Sequence, residues 1–211
     1  MRFHHLAVEG PIGVGKTTVV ERLANRLEAQ SVLEDWSTNP FLNAFYDAKP
    51  GAAFQAELFF LLSRHRQLQE LQQRQLFAQA TLTDYMFEKS RLFAYLNLDD
   101  SELLIFDKLY ALLAESLPRP DLVLYLQAPT EVLLKRLSLR GRPEDRPLSE
   151  EYLAELNRAY NHYFFHYSAT PLLVVNTSDV DFVKNPEDLD DLLRQLQSMG
   201  KGTQYYVPRS R

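Results

Sequence analysis

A glycine-rich segment near the start of the chain has the spacing of a phosphate-binding loop. Gly10 and Gly15 stand five positions apart, and Lys16 and Thr17 follow directly. Glycines at these positions let successive backbone N–H groups point into one concavity, where they bind the phosphates of a nucleotide. A lysine in this register reaches the outer phosphates, and the threonine hydroxyl is placed to bind Mg²⁺. We expect nine consecutive residues to bind a nucleoside triphosphate: Gly10, Pro11, Ile12, Gly13, Val14, Gly15, Lys16, Thr17 and Thr18.

Arginines are concentrated in one stretch of a chain that is acidic elsewhere. Arg136 and Arg140 share a helical face, and Arg142 and Arg146 follow in a charged loop. Phosphoryl transfer spreads negative charge over the moving group, and planar guanidinium groups are suited to hold it. We therefore expect a lid over about residues 138–148, which closes arginines over the nucleotide and keeps water out. The alternative is a self-neutralising charged loop in solvent.

Acidic residues follow two of the predicted strands. Glu34 and Asp35 come at the end of the second strand, and Asp84 comes at the end of the third. In parallel sheets, ligands bind beyond the carboxyl ends of the strands. One carboxylate there could take a proton from a hydroxyl nucleophile, and another could hold Mg²⁺ through water. Helix capping is the alternative for any one of these acids.

A long helical pattern carries an acid and a base on one face. Glu57 and Arg64 are seven positions apart, whereas Gln55 points nearly the opposite way. A carboxylate and a guanidinium on one face can recognise a planar heterocycle by paired hydrogen bonds. A solvated charged face is the alternative.

Short apolar runs alternate with helical patterns along the chain. The run "DLVLYL" at 121–126 is almost entirely apolar, as in strands that are covered by helices on both faces. The alternation predicts an α/β fold with a parallel sheet and right-handed crossovers. We expect strands over residues 3–8, 31–36, 81–83, 121–126 and 172–175, helices over 17–29, from the turn at 39–40 up to 46, and over 53–80, 130–139 and 186–198, and a tail at 200–211 that is mobile or covers a site.

The composition predicts one soluble domain. The chain has 211 residues, of which 45% are hydrophobic and 24% charged, as in an ordinary globular protein. Its net charge of -5 argues against nucleic acid as a partner, because binding to the phosphate backbone uses a surplus of Lys and Arg. There is no cysteine, and no apolar run reaches the roughly 20 residues that span a bilayer. We expect a single cytoplasmic domain over residues 1–211.

Four segments together resemble those of a known family. They are "EGPIGVGKTT", "ED-x-x-x-NPFL-x-x-FY", "FFLLSR" and "RLSLRGRPE", in this order. The chain resembles the deoxyribonucleoside kinases over about residues 6–200, especially the bacterial deoxyadenosine and deoxyguanosine kinase branch. The resemblance implies a three-layer P-loop kinase fold with a five-stranded parallel sheet, an arginine-rich lid and a helix-bundle dimer. It also implies transfer of the γ-phosphate of ATP to the 5′-hydroxyl of a deoxynucleoside, with Mg²⁺.

The resemblance also implies roles for individual residues. Glu34 falls at the general base for the 5′-hydroxyl, with Lys16 and the lid arginines as the other catalytic groups. Tyr46 and Asp145 fall at the groups that bind the sugar 3′-hydroxyl. The remaining implied roles are base recognition for Glu57 and Arg64, base stacking for Phe93, phosphate binding for Arg136, Arg140 and Arg142, and Mg²⁺ binding for Asp84 beside Thr17.

The chain departs from the family pattern after the third strand. The family usually has an acid, an arginine and a serine there, but this chain reads "TDYMFEKS", with Tyr85 in place of the arginine. The function of that arginine must come from Lys89 or Arg91, or be missing.

A second departure is Glu57, which replaces the usual glutamine. An ionised carboxylate only accepts hydrogen bonds, so it suits a base edge with two donors, such as guanine N1–H and N2–H₂. Adenine would offer its amino group alone unless Glu57 were protonated. This residue therefore favours deoxyguanosine.

These observations predict a kinase of purine deoxyribonucleosides in nucleotide salvage, which acts as a homodimer or as a heterodimer with a related subunit. A thymidylate kinase shares the fold and the lid but needs a second cationic cluster for its phosphate acceptor. A weakly active regulatory subunit of a heterodimeric kinase is the other alternative, because of Tyr85. A P-loop GTPase is disfavoured, since the chain lacks an Asn-Lys-x-Asp segment.

Overall fold

A parallel sheet of six strands organises the described residues of the computed structural model, which are 3–74, 80–141, 148–182 and 185–208. The strand order is β2-β3-β1-β4-β5-β6, and every neighbouring pair is parallel. The predicted α/β class is therefore confirmed. The strands are β1 (His5–Glu9), β2 (Gln30–Val32), β3 (Thr81–Thr83), β4 (Leu122–Gln127), β5 (Leu172–Asn176) and β6 (Thr203–Tyr206).

Helices connect most of these strands. Within the described ranges they are α1 (Lys16–Leu27), α2 (Leu42–Tyr46), α3 (Ala52–Arg74), α4 (Lys89–Asn97), α5 (Asp100–Ala114), α6 (Thr130–Arg140), α7 (Glu150–Phe165) and α8 (Pro186–Ser198). The sequence patterns missed α4, α5 and α7. Over the part of the chain that the structure describes, no helix has both the length and the apolar character that crossing a membrane requires.

The prediction of a five-stranded sheet is wrong. The sixth strand, β6, comes from the tail and pairs with β5, with Thr203 opposite Leu172. Three of its four residues are exposed, so β6 lacks the apolar run that marks a buried strand. It covers one edge of the sheet.

The second strand is also shorter than the predicted 31–36. It ends at Val32, and a 3₁₀ turn (Trp36–Thr38) follows. The Asp35 carboxylate caps this turn by accepting a hydrogen bond from the Ser37 backbone N–H at 3.1 Å, a local bond that competes with strand pairing. Glu34 therefore lies in the loop after the strand.

The described chain divides into two compact units. The sheet unit comprises the described residues within Met1–Leu33, Ala78–Tyr85 and Arg119–Arg211, and the helical unit comprises those within Glu34–Phe77 and Met86–Pro118. In the sheet unit, β1, β4 and β5 are almost completely buried, as expected of a parallel sheet covered on both faces. In the helical unit, α3 packs on α2, α4 and α5. A capping box between Asp99 and Glu102 fixes the start of α5.

Candidate active site

The glycine-rich loop connects β1 to α1 in the sheet unit. Gly10 has a φ of +149°, and a Cβ atom on it would lie 2.5 Å from the Leu126 carbonyl oxygen, so only glycine fits there. Lys16 is the first residue of α1, and its Nζ donates to the carbonyl oxygens of Gly10 at 2.7 Å and Pro11 at 3.1 Å. The loop and its lysine thus have the strand-to-helix setting that phosphate binding requires.

The two predicted metal-binding residues meet at the start of α1. The Thr17 hydroxyl donates to the Asp84 carboxylate at 2.7 Å, and Asp84 is only 4% exposed. Hydroxyl and carboxylate oxygens are the ligands that Mg²⁺ takes, with water and phosphate oxygens completing its shell. Among the described residues there is no group of three or more acids or histidines that could hold a metal by itself. The pair therefore suits a cation that is shared with a phosphate.

Arg136 is bound to the protein in the sheet unit. Its Nη1 donates to the Val14 carbonyl at 3.2 Å and to the Thr177 hydroxyl at 3.0 Å. Its Nη2 donates to the carbonyl oxygens of Thr177 and Val180. The guanidinium thereby ties α6 to the glycine-rich loop and to the segment that follows β5.

The other predicted lid residues are only partly described. Arg140 is exposed at the last position of α6. Arg142 and Asp145 lie outside the described residues. Their roles stay predictions.

Two cations bind Glu34 in the helical unit. Arg64 of α3 contacts Oε1 through both Nε and Nη2 at 2.6 Å, and Lys89 of α4 donates to Oε2 at 2.5 Å. The side chains of Arg64 and Lys89 are 3% and 8% exposed, and that of Glu34 is 16% exposed. Each carboxylate oxygen is thus held by a cation from a different helix.

This cluster controls the ionisation of Glu34. Burial by itself would raise the pKa of the carboxyl, but Arg64 and Lys89 outweigh that effect and lower the pKa to about 2. Glu34 is therefore a carboxylate, and a hydrogen-bond acceptor, at neutral pH.

Arg64 is itself fixed on several sides. Its Nη1 donates to the Ser90 hydroxyl at 2.9 Å, and its guanidinium lies over the Phe60 ring at 5.2 Å from the centroid. A planar group held in this way positions its hydrogen bonds with little freedom. α3 therefore supplies Glu34 with a rigid partner.

Glu57 lies earlier on the same face of α3 and is 4% exposed. Its Oε1 accepts a hydrogen bond from Asn97 Nδ2 at 2.7 Å, whereas its buried Oε2 has no hydrogen-bond partner among the described residues. Burial is the largest influence, and it raises the pKa of Glu57 to about 7 although Arg64 and Asn97 act in the opposite direction. Gln55 is exposed, as its position on the helix predicted.

The other predicted substrate-binding residues also lie in the helical unit. Tyr46 ends α2 and is half-buried, and Phe93 lies on α4 with the Lys89 ammonium 5.7 Å from its ring centroid. The "NPFL" segment is anchored by Asn39, which is buried and donates through Nδ2 to the Ala56 carbonyl at 3.1 Å. That bond ties the segment to α3 at the residue before Glu57.

Sequence reasoning missed Asn97 and Ser90 and left Lys89 as one of several possibilities. Lys89 and Asn97 reach their glutamates across 55 and 40 positions of sequence. Both residues lie on α4, a helix that the sequence patterns did not predict, and a polar residue there gives no sequence signal of a contact so distant in the chain. The signal that pointed to this region was the departure from the family pattern in "TDYMFEKS", the segment that contains Lys89 and Ser90.

Together, the fold and the glycine-rich loop define the class of protein. A parallel sheet with this order and a phosphate loop after β1 is the architecture of the P-loop kinases. The deoxyadenosine kinase of M. mycoides, solved with bound dCTP, has the same fold: its TM-score is 0.78 at 24% identity, with 92% of this chain and 99% of that chain covered.

Family comparison gives a narrower assignment. The model of the deoxynucleoside kinase family matches residues 6–200, and the chain belongs to this family. It is 34% identical to the deoxyguanosine kinase of Bacillus subtilis, over 92% of this chain and 96% of that protein. It is 32% identical to a deoxyadenosine kinase of Dictyostelium discoideum, over 92% and 80% of the two chains. The protein is therefore an enzyme, a deoxynucleoside kinase, as the four segments predicted.

The raised pKa of Glu57 makes the free energy of unfolding depend on pH. In the folded protein the Glu57 carboxyl keeps its proton up to a pH of about 7, whereas in the unfolded chain it loses that proton near pH 4.5. The cost of burying the charged form of Glu57 therefore lowers the free energy of unfolding progressively between these pH values, and in full above pH 7. Glu57→Gln removes the ionisation at nearly constant shape. We expect it to raise the free energy of unfolding by about 3 kcal/mol at pH 8 and by much less at pH 5.

Urea unfolding at the two pH values measures this difference. The control is Glu21→Gln, which neutralises an exposed glutamate of the sheet unit. If Glu57→Gln increased the free energy of unfolding by the same amount at both pH values, the raised pKa of Glu57 would be contradicted.

Proposed function

We propose that the enzyme transfers the γ-phosphoryl group of ATP to the 5′-hydroxyl of a purine deoxynucleoside, with deoxyguanosine preferred. The observation that carries this proposal is a pair of glutamates in the helical unit, of which Glu34 is half-buried and Glu57 is buried. Glu34 is held ionised by two cations, and Glu57 presents a buried oxygen that has no hydrogen-bond partner within the described ranges. The ionised Glu34 suits a hydroxyl group as the phosphoryl acceptor, and Glu57 suits a nucleoside base that carries hydrogen-bond donors.

Glu34 acts on the acceptor. It accepts a hydrogen bond from the 5′-hydroxyl and orients that oxygen toward the γ-phosphorus. As the new O–P bond forms and the bond to the leaving ADP breaks, the hydroxyl proton passes to the carboxylate. A low pKa makes Glu34 a weak base, but a loose phosphoryl-transfer transition state needs little deprotonation of the nucleophile before the bond forms. Orientation is therefore its main contribution.

The donor groups lie in the sheet unit. The glycine-rich loop and Lys16 bind the phosphates of ATP, and Arg140 and Arg142 of the lid neutralise the charge on the moving group. Thr17 and Asp84 would hold Mg²⁺, which supplies charge neutralisation between the outer phosphates. Arg136 contributes by bracing the loop through Val14, since its donors bind protein carbonyls.

Glu57 selects the base. Its unpartnered Oε2 and its Asn97-bound Oε1 both accept hydrogen bonds when the group is ionised, so the two donors of the guanine edge fit them. We propose that Phe93 stacks on the base, that Arg64 adds a donor on the same face, and that Tyr46 and Asp145 bind the sugar 3′-hydroxyl. The name of the Bacillus subtilis relative, deoxyguanosine kinase, supports this preference.

We also propose that the enzyme is a dimer that works in the cytoplasm, with a second copy or a related kinase subunit as its partner. α5 carries a face with three exposed apolar residues, Leu104, Ile105 and Leu112, which are 53–68% exposed. Apolar faces of this kind are typical of subunit interfaces.

Phosphoryl transfer from ATP with Mg²⁺ to the four deoxynucleosides and to thymidylate tests the proposal. We expect 5′-monophosphates from the purine deoxynucleosides and none of the diphosphate from thymidylate. Glu34→Gln should lower kcat by roughly 10²-fold to 10⁴-fold, because the amide loses the ion pairs with Arg64 and Lys89 that orient the group and also accepts no proton.

The control for this variant is Asp35→Asn, which removes the adjacent exposed charge and keeps the side-chain oxygen that caps the 3₁₀ turn; its kcat should stay near that of the unmodified enzyme. Turnover of thymidylate alone would contradict the proposal. Activity that appears only after a second kinase subunit is added would identify a regulatory subunit instead.

The base preference should depend on pH. Above a pH of about 7, ionised Glu57 accepts two bonds and favours guanine, whereas the protonated group below that pH offers one donor and one acceptor, which suit adenine. We expect the ratio of kcat/KM for deoxyguanosine over deoxyadenosine to rise roughly tenfold between pH 6 and pH 8.

Glu57→Gln should lower that ratio and make it independent of pH, because its amide keeps one donor and one acceptor throughout. Competition assays with both nucleosides in one reaction measure the ratio directly. An unchanged ratio in this variant would remove Glu57 from base recognition.

A further inference from the structure

The structure decides between the residues that could replace the arginine missing at Tyr85. Tyr85 is itself fully buried and carries no positive charge. Arg91 is engaged elsewhere: its Nε pairs with Asp107 at 3.0 Å, and its guanidinium lies over the rings of Tyr95 and Tyr110. Lys89, by contrast, donates to the Glu34 carboxylate.

The two cations on Glu34 do different things to the carboxylate. Arg64 contacts Oε1 through Nε and Nη2, so these two contacts restrain one oxygen of the carboxylate. Lys89 binds the other oxygen, Oε2, at 2.5 Å. A second point of attachment, from a different helix, fixes the rotation of the group.

Lys89 is placed to do this by its own surroundings. It is the first residue of α4, it is buried, and its ammonium lies 5.7 Å from the centroid of the Phe93 ring. A buried ammonium is stable only where an opposite charge compensates it. The ion pair with Glu34 provides that compensation for both groups.

We propose that Lys89 is the positioning residue for the phosphoryl acceptor: by binding Oε2 it sets the direction in which the Glu34 carboxylate meets the 5′-hydroxyl and keeps that carboxylate ionised. This inference rests on the proposed role of Glu34. An ammonium carries three N–H donors, of which the ion pair uses one, so Lys89 can also donate to the 5′-oxygen as it gains charge.

The charged groups that face Glu34 determine what the loss of Lys89 does. Arg64 and Lys89 favour its ionised form, and Glu57 is the nearby acid that interacts with this cluster. Without the ammonium, the effect of burial is opposed mainly by Arg64, so the pKa of Glu34 rises. The acid limb of the pH dependence of kcat/KM then moves toward neutral pH.

The test compares Lys89→Met and Lys89→Arg in a Glu57→Gln parent, which removes the second titrating acid from the profile. Deoxyadenosine is the acceptor, because the Glu57→Gln change should favour it. We expect Lys89→Met to lower kcat roughly 10²-fold, because the carboxylate is misplaced. We also expect the ratio of kcat/KM at pH 5 to kcat/KM at pH 8 to be roughly tenfold lower in this variant than in the parent. Lys89→Arg, which restores the charge, should recover most of both losses.

The control is Lys49→Met, which breaks an exposed pair between Lys49 and Asp47 in the same unit and should change neither quantity. Urea unfolding of each variant separates loss of fold from loss of function. Where Lys89→Met does not fold, Lys89→Gln replaces it, since the amide keeps a polar side chain of similar volume without the charge.

Three results would overturn the inference while the enzyme itself remains an active deoxynucleoside kinase. They are a folded Lys89→Met variant with the kcat of its parent, an acid limb that does not move, and a Lys89→Arg variant as impaired as Lys89→Met. Failure of the unmodified protein to phosphorylate any deoxynucleoside would instead overturn the proposed function, and this inference with it.

Discussion

The helical unit is built around one electrostatic constraint, a half-buried carboxylate, Glu34, that has to stay ionised beside buried cations. Removing a carboxylate from water is costly, and the cost is offset only by close opposite charges with good geometry. Arg64 and Lys89 provide these charges from two helices, one on each oxygen of Glu34. The packing of α3 against α4 therefore decides the chemistry of Glu34, and Ser90 and Phe60 hold Arg64 in the required orientation.

The same unit places a second glutamate in the opposite environment. Glu57 has a neutral partner, Asn97, and one buried oxygen with no hydrogen-bond partner in the described part of the chain. Burial therefore dominates and raises the pKa of Glu57 to about 7, while that of Glu34 is lowered to about 2. Two carboxyl groups whose environments separate their pKa values can take different tasks. In our proposal, Glu34 binds and orients the 5′-hydroxyl, and Glu57 recognises the base.

The sequence allowed the sheet unit to be predicted better than the helical unit. The glycine-rich loop and the buried strands β4 and β5 leave strong local patterns, whereas β6 is an exposed edge strand without one. Glu34, Glu57 and Arg64 could be identified by motif and by helical spacing. The contacts of Lys89 and Asn97 could not, because they span 55 and 40 positions and depend on how α4 packs.

The separate ionisation of Glu34 and Glu57 can be measured directly by observing the two glutamates titrate. Carbon-13 NMR of protein labelled at the glutamate carboxyl carbons, with Glu34→Gln and Glu57→Gln for assignment, reports each group separately. We expect the Glu34 signal to stay at its ionised position from pH 8 to pH 4, while the Glu57 signal shifts with a midpoint near 7. A Glu34 signal that titrates at or above 4.5, its ordinary value, would contradict this expectation.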